Sequence, residues 1–324
     1  MRVLVVGGAG YIGSHMCKLL AGRGHEVVVF DNLVTGHREA LRWGRFVEGS
    51  LHDAAALDAL FTQHRFDAVI QFAASIAVGE SVREPLDYYR NNVGGTLELL
   101  TTMKRHGVRR LVFSSTAAIF GTPQYSPIDE NHPHAPLSPY GHSKLMAEQV
   151  LRDAAAAGHL DAVALRYFNA AGADPEGELG EAHDPETHLI PLLLKAALGQ
   201  VPPVTVFGSD YDTEDGTCVR DYIHICDLCE AHLLALSYLQ DNPGFSAFNL
   251  GNGKGYSVKQ VLAVVAQTIG RAVPTVMGPR RAGDPARLIA SSELARSKLG
   301  WQPKMPELET IIRTAWRWHQ APGF

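Results

Sequence analysis

Nowhere in this chain does an apolar run approach the roughly 20 residues that a membrane-spanning helix requires. The apolar start, residues 3–6, meets glycine at once and makes no signal-peptide core, so a cytoplasmic location is expected by default. Basic residues are also few. With 29 Lys and Arg against 34 Asp and Glu the net charge is −5, and no long basic run is present. That balance argues against nucleic acid or an anionic membrane as a partner. Cysteine is scarcer still: four in 324 residues do not make a disulfide framework in a chain of this size. Cys226 and Cys229 have Cys-x-x-Cys spacing with His224 and His232 nearby, but no second pair completes a zinc site. No metal site is expected. His132, His134 and His183 read as solvated residues of Pro-rich loops without ligand spacing.

What the chain does have is an ordinary globular composition, 46% hydrophobic and 19% charged, sufficient for one large domain or two unequal ones. Its first half alternates short apolar runs with helical segments. Residues 2–6 suit a buried parallel strand, and residues 14–21 a helix. Between them stands Gly7-Gly8-Ala9-Gly10-Tyr11-Ile12-Gly13, which contains G-x-G-x-x-G. Placed between a strand and a helix, such glycines let a pyrophosphate approach backbone N–H groups at a helix N-terminus. A second strand, residues 26–30, ends in Asp31, 18 residues after Gly13. A carboxylate there binds ribose hydroxyls and repels a 2′-phosphate, so the spacing predicts NAD over NADP. Further strands are expected near residues 46–47, 68–72 and 111–113, with helices over 54–64 and 88–106. The small residues Ala73-Ala74-Ser75 and the hydroxyls Ser114-Ser115-Thr116 fall at strand ends, where open α/β sheets bind ligands.

The stretch Ser138-Pro139-Tyr140-Gly141-His142-Ser143-Lys144 carries the sharpest chemical signal. Ser138 is a good N-cap and Pro139 suits the first helical position, so a helix is predicted from there to about Gly158. Tyr140 and Lys144, four apart, then share one face. An ammonium and a helix N-terminus both favour phenolate, which is expected to bring Tyr140 toward general-base use at neutral pH.

With the glycine loop, Asp31, Ser114-Ser115-Thr116 and Tyr140-x-x-x-Lys144 in one order, the chain resembles the extended short-chain dehydrogenase/reductase family, and more closely its UDP-glucose 4-epimerases. The resemblance runs from Val3 to about Trp318. Its most discriminating piece is Thr213-Glu214-Asp215-Gly216-Thr217 with residues 219–224. Ala77-Val78-Gly79-Glu80-Ser81, Arg166-Tyr167-Phe168-Asn169 and Arg280-Arg281-Ala282-Gly283-Asp284 also match. It implies an α/β fold: a doubly wound parallel Rossmann sheet with a smaller, discontinuous C-terminal α/β domain for substrate. The expected bounds are residues 1–171 with a return segment at 221–250 for the NAD domain. Residues 172–220 and 251–324 are expected to bind the nucleotide-sugar.

By the same resemblance Tyr140 is the base, Lys144 tunes it and orients the nicotinamide ribose, and Thr116 contacts the reacting sugar. NAD contacts are implied for Gly7, Gly10, Tyr11, Ile12, Gly13, Asp31, Asn32, Ser50, Leu51, Phe72, Ala73, Ala74, Asn91, Ser114, Tyr167 and Phe168. Substrate contacts are implied for Asn169, His188, Leu189, Phe207, Arg220, Arg281, Asp284 and Leu288, with Phe207 near the uracil and Leu288 near the sugar C2. Guanidinium groups suit a diphosphate because they are permanently charged and bidentate. Three departures stand out. Ser50 replaces a common Asp, Ile76 a cofactor-binding Lys of some members, and His188 an Asn at the diphosphate. The first two imply looser NAD retention.

The implied activity is NAD-dependent C4 epimerisation of UDP-hexoses, extending to N-acetylated sugars if Leu288 leaves room, in a protein that pairs as a homodimer. A 4,6-dehydratase is set aside, because Ala117-Ala118 follow Thr116 where that reaction needs an acid and a base. A net dehydrogenase of the same fold and a non-enzymatic NAD sensor are the remaining alternatives. After Asn169 the pattern loosens. Residues 172–188 read as a loop over the cleft, 189–198 as a short helix and 204–207 as a strand. Residues 221–225 and 247–250 look apolar enough to rejoin the main sheet.

Overall fold

The computed structural model describes residues 1–281 and 283–324; Ala282, within the Arg280–Asp284 motif, lies outside the described residues. Six parallel strands form in the first half: β1 (Arg2–Val6), β2 (Glu26–Asp31), β3 (Arg45–Glu48), β4 (Ala68–Gln71), β5 (Arg110–Thr116) and β6 (Asp161–Tyr167). Phe245–Leu250 adds a seventh beside β6, giving the order Phe245–Leu250, β6, β5, β4, β1, β2, β3. Strand order reverses after β3, between β1 and β4, which is where an open parallel sheet leaves a ligand crevice at its carboxyl edge.

The sheet is covered on both faces because successive side chains of a strand point opposite ways. Val3 and Val5 of β1 join Met16, Leu20, Leu228 and Trp301 on one face. Leu4 and Val6 join Leu57, Leu60, Leu99 and Leu151 on the other. This two-sided burial explains the continuous apolar runs of the strands.

A third apolar core joins Ile190, Leu193 and Leu194 to Val261, Val265, Ile311 and Ile312, from the helices Leu189–Ala197, Val258–Ile269 and Leu308–Gln320. Small sheets accompany it. Val204–Phe207 pairs with Thr275–Gly278, and Val219–Arg220 lies between Tyr256–Ser257 and Arg287–Leu288.

Two expectations need correction. Residues 221–225 do not rejoin the main sheet: Tyr222–His224 pairs only with Asn169–Ala171. The cause is Asp221, fully buried, whose carboxylate accepts N–H groups of Asn252, Gly253 and Ala290 and so ties three segments at this crossing. The single helix expected over 88–106 is interrupted by a π-helical stretch, Tyr89–Gly94, before Gly95–Arg105 resumes α geometry.

Candidate active site

The glycine loop fits a dinucleotide. The helix Tyr11–Gly22 begins at Gly10 without a side-chain cap, leaving its first N–H groups for an anion. A Cβ on Gly13 would stand 2.1 Å from the Gly7 carbonyl oxygen, so only glycine lets the loop fold this tightly. Asp31 is almost buried and accepts N–H bonds from Ala9 at 2.9 Å and Leu33 at 2.8 Å, one on each oxygen. Each oxygen keeps a lone pair for a ribose hydroxyl. Tyr11 donates to the Gly172 carbonyl at 2.7 Å, linking the loop to the second half. Asn32 accepts from Val34 N–H and Ser50 from His52 N–H. Ile76 is exposed and makes no hydrogen bond through its side chain.

The helix Pro139–Ala156 starts as expected, Ser138 Oγ accepting from Gly141 N–H at 3.2 Å. Gly141 lets this helix approach the turn that follows β5 closely: a Cβ there would lie 2.7 Å from the Ala118 carbonyl oxygen. That approach brings Tyr140 to Thr116, whose side chain favours the phenolate, whereas burial, the larger effect, raises the phenol above its ordinary value. Lys144 is buried, donates to the Ser114 carbonyl at 2.9 Å and stands over the Phe113 ring at 4.8 Å. Burial pulls its ammonium down to about 7, against the attraction of Glu148. The expected lowering of Tyr140 is therefore reversed by the protein's own groups, because desolvation penalises both charged forms.

Glu148 and Asn92, not singled out from the sequence, join Asn91, Arg166 and His232 in completing this centre. Glu148, one turn beyond Lys144, makes a bidentate pair with Arg166 of β6, at 3.0 and 2.6 Å. Asn92, in the π-helical stretch, accepts from Ser75 N–H at 2.8 Å and donates to Ser143 Oγ at 3.0 Å. Asn91 donates to Ser75 Oγ. His232 lies 3.1 Å from Ser114 Oγ and stacks near Phe72 and Tyr167; burial pushes it down to about 4, so it is neutral. The π-helical stretch leaves no signal in the sequence, and His232 lies 118 positions from its partner.

The substrate candidates gather in a cleft of about 450 Å³. Asn169, His188, Leu189, Phe207, Arg220, Arg281 and Asp284 all line it. Arg281 lies over the Phe207 ring at 4.1 Å. Asp284 is ion-paired to Arg220, so it positions that guanidinium. Asn169 donates to the Asp221 carbonyl. Thr116, Tyr140 and Leu288 are not among its lining residues. Leu288 pairs in register with Arg220 and packs with Phe168 and Leu145 against Ile119 and Phe120.

Two of the three loop histidines differ from expectation, while His134 is exposed. His132 is buried and accepts from Gln124 N–H, and His183 approaches Glu181 at 3.1 Å, so neither is a solvated loop residue. His188 pairs with Glu181 and Glu186; burial opposes its charge, but the two carboxylates push it up to about 10. Cys226 and Cys229 are free thiols on the helix Ile225–Tyr238.

The model of the NAD dependent epimerase/dehydratase family matches residues 3–251. A UDP-glucose 4-epimerase of Halalkalibacterium halodurans is 53% identical over 99% of this chain and 96% of its own. The UDP-glucose 4-epimerase of Bifidobacterium longum, solved with NAD+ and UDP, superposes with a TM-score of 0.95 at 38% identity, covering 100% of both chains. The UDP-Glc/GlcNAc 4-epimerase of Campylobacter jejuni gives 0.87 at 44% identity, covering 98% of this chain and 99% of its own.

Proposed function

Because this chain belongs to the NAD dependent epimerase/dehydratase family, we propose that Tyr140, Thr116 and Lys144 are its catalytic residues. The protein is an enzyme, an isomerase that uses NAD to epimerise UDP-hexoses at C4. The observation that carries the assignment of roles is the approach of Tyr140 to Thr116 at the carboxyl edge of β5, with Lys144 buried one helical turn away.

When bound, NAD supplies a reversible hydride acceptor and a positive charge that favours the phenolate. Tyr140 takes the proton of the C4 hydroxyl as the C4 hydride departs, and a carbonyl forms at C4. Thr116 holds the hydroxyl oxygen in line. Arg220 and Arg281 keep the diphosphate while the flat 4-keto sugar turns. Tyr140 then returns the proton as hydride reaches the opposite face. Contacts to the nucleotide thus give affinity without engaging the reacting carbon.

Residues 1–171 with 221–250 serve as the NAD-binding part, and residues 172–220 with 251–324 as the nucleotide-sugar part. The two cores of the main sheet and the third, separate core support that division. A homodimer is supported by exposed Val82, Leu86 and Met146 on the mutually packed helices Val78–Arg83, Pro85–Tyr88 and Pro139–Ala156. Free thiols at all four cysteines favour the reducing cytoplasm. No helix among the described residues is long and apolar enough to cross a membrane.

Anomeric-proton NMR on UDP-glucose and UDP-galactose tests the reading, with interconversion in both directions as the expected result. NADH accumulating in proportion to product would make the protein a net dehydrogenase instead.

A further inference from the structure

The loop before the helix Leu189–Ala197 folds four side chains onto one point. Glu181 Oε1 lies 3.1 Å from His183 Nδ1 and 2.8 Å from His188 Nδ1. Glu186 presents one oxygen 3.1 Å from His188 Nδ1 and the other 3.9 Å from His183 Nδ1. One donor atom from each residue lies within 4.8 Å of all the others. Two of them, His183 Nδ1 and Glu186 Oε2, are buried without a hydrogen-bond partner, although the Glu186 side chain is only 3% exposed. A buried carboxylate oxygen left unpaired is costly, and an imidazole nitrogen facing it without alignment does not relieve the cost.

We propose that Glu181, His183, Glu186 and His188 bind a divalent transition-metal ion, best matched by Zn²⁺, which fixes the loop at the edge of the nucleotide-sugar cleft. Two imidazole nitrogens and two carboxylate oxygens suit zinc, whereas magnesium and calcium prefer oxygen alone. Three of the donor separations, 2.8, 3.1 and 3.9 Å, lie around the edge of a tetrahedron, and all are within 4.8 Å. With bonds of about 2.0 Å that edge is roughly 3.3 Å. Two carboxylates also neutralise a dication. The Asp174, Glu176 and Glu178 group differs, because Lys18 Nζ already fills it at 2.6–2.9 Å. Metal on His188 Nδ1 fixes the proton on Nε2, a donor in the cleft this residue lines; that consequence rests on the reading of the cleft given above.

The test uses untagged protein with its NAD, dialysed against chelator, desalted, and titrated with Zn²⁺ alone or Co²⁺ alone. The expected result is about one zinc retained per chain, a raised thermal midpoint, and the intense visible absorption of tetrahedral cobalt. His183→Ala and Glu186→Gln should each lose the retained metal while keeping wild-type NAD content. Absence of both retained zinc and the cobalt spectrum in the wild type would leave a histidine–carboxylate ion-pair cluster only, and overturn the site. Equal retention by variants that keep their NAD would place the metal elsewhere and overturn it too. Should either variant fail to fold, Glu181→Gln replaces it in the same retention measurement, with loss of the metal expected and equal retention overturning the site.

Discussion

Glu148 and Arg166 face each other through two hydrogen bonds, at 3.0 and 2.6 Å, with each side chain only 2% exposed. Glu148 sits one turn after Lys144, so this pair fastens the helix carrying Tyr140 to β6. Ser115 Oγ donates to the same carboxylate. Glu148→Gln is expected to destabilise the fold by about 3–5 kcal/mol, because the Arg166 charge is left buried without its partner. Glu148→Leu with Arg166→Met should recover most of the loss. Urea denaturation midpoints of wild type and the two variants check this; a midpoint for Glu148→Gln equal to wild type would refute it.

Lys144 predicts a pH dependence of stability. Its ammonium titrates near 7 in the fold against 10.5 ordinarily. Between those values the unfolded chain holds one proton more, so stability should rise with pH. The slope is about 1.4 kcal/mol per unit at most. The cost is fully present below pH 7 and gone above about 10.5. In cofactor-stripped protein, unfolding at pH 7 and pH 9 should show a rise that Lys144→Met lacks. Parallel changes in both proteins would assign the rise to other groups.

Tyr140→Phe removes the proposed proton carrier but leaves the glycine loop and Asp31 untouched. The variant should fold, retain NAD and lose at least about a thousandfold in kcat. Turnover close to wild type, measured by coupled assay, would dismiss Tyr140 as the base.

Asp31 should set the cofactor preference, since its two oxygens are held by Ala9 and Leu33 N–H groups in one orientation. Asp31→Ser is expected to reduce the preference for NAD over NADP by about tenfold or more, which is roughly 1.4 kcal/mol. Fluorescence titration of the stripped protein with both dinucleotides measures it, and an unchanged ratio would remove Asp31 from that role.

Legibility of the site tracked the range of the interactions. Asp31 and the glycines could be read because a strand, a turn and a helix fix their relation locally. Tyr140 and Lys144 could be read because helical spacing alone puts them on one face. Asn92 could not, since nothing in Tyr89–Gly94 forbids an ordinary α-helix, and its partners Ser75 and Ser143 lie 17 and 51 positions away. Lys144 was legible in place but not in charge, because desolvation depends on the packed fold. The cluster of Glu181, His183, Glu186 and His188 escaped for a related reason: its spacing matches no regular element, and only the folded loop makes it converge.

Leu288 carries the prediction on substrate breadth. It lies in the short strand Arg287–Leu288, opposite Arg220, and packs with Phe168 and Leu145 beside the segment that follows Thr116. A 4-keto sugar that must present both faces needs room for its C2 substituent in two orientations. Leucine is smaller than tyrosine and brings no hydroxyl that needs a partner. Wild-type protein is therefore expected to epimerise UDP-N-acetylglucosamine as well as UDP-glucose. Leu288→Tyr would add a ring to a site already packed against Phe168, where overlap typically costs about 1–3 kcal/mol. It should lower kcat/KM for the acetylated sugar about tenfold or more while changing that for UDP-galactose far less. Measuring both substrates with both proteins separates a pocket effect from general damage, which would lower the two together. No turnover of UDP-N-acetylglucosamine by wild type, where UDP-galactose turns over freely, would end the idea.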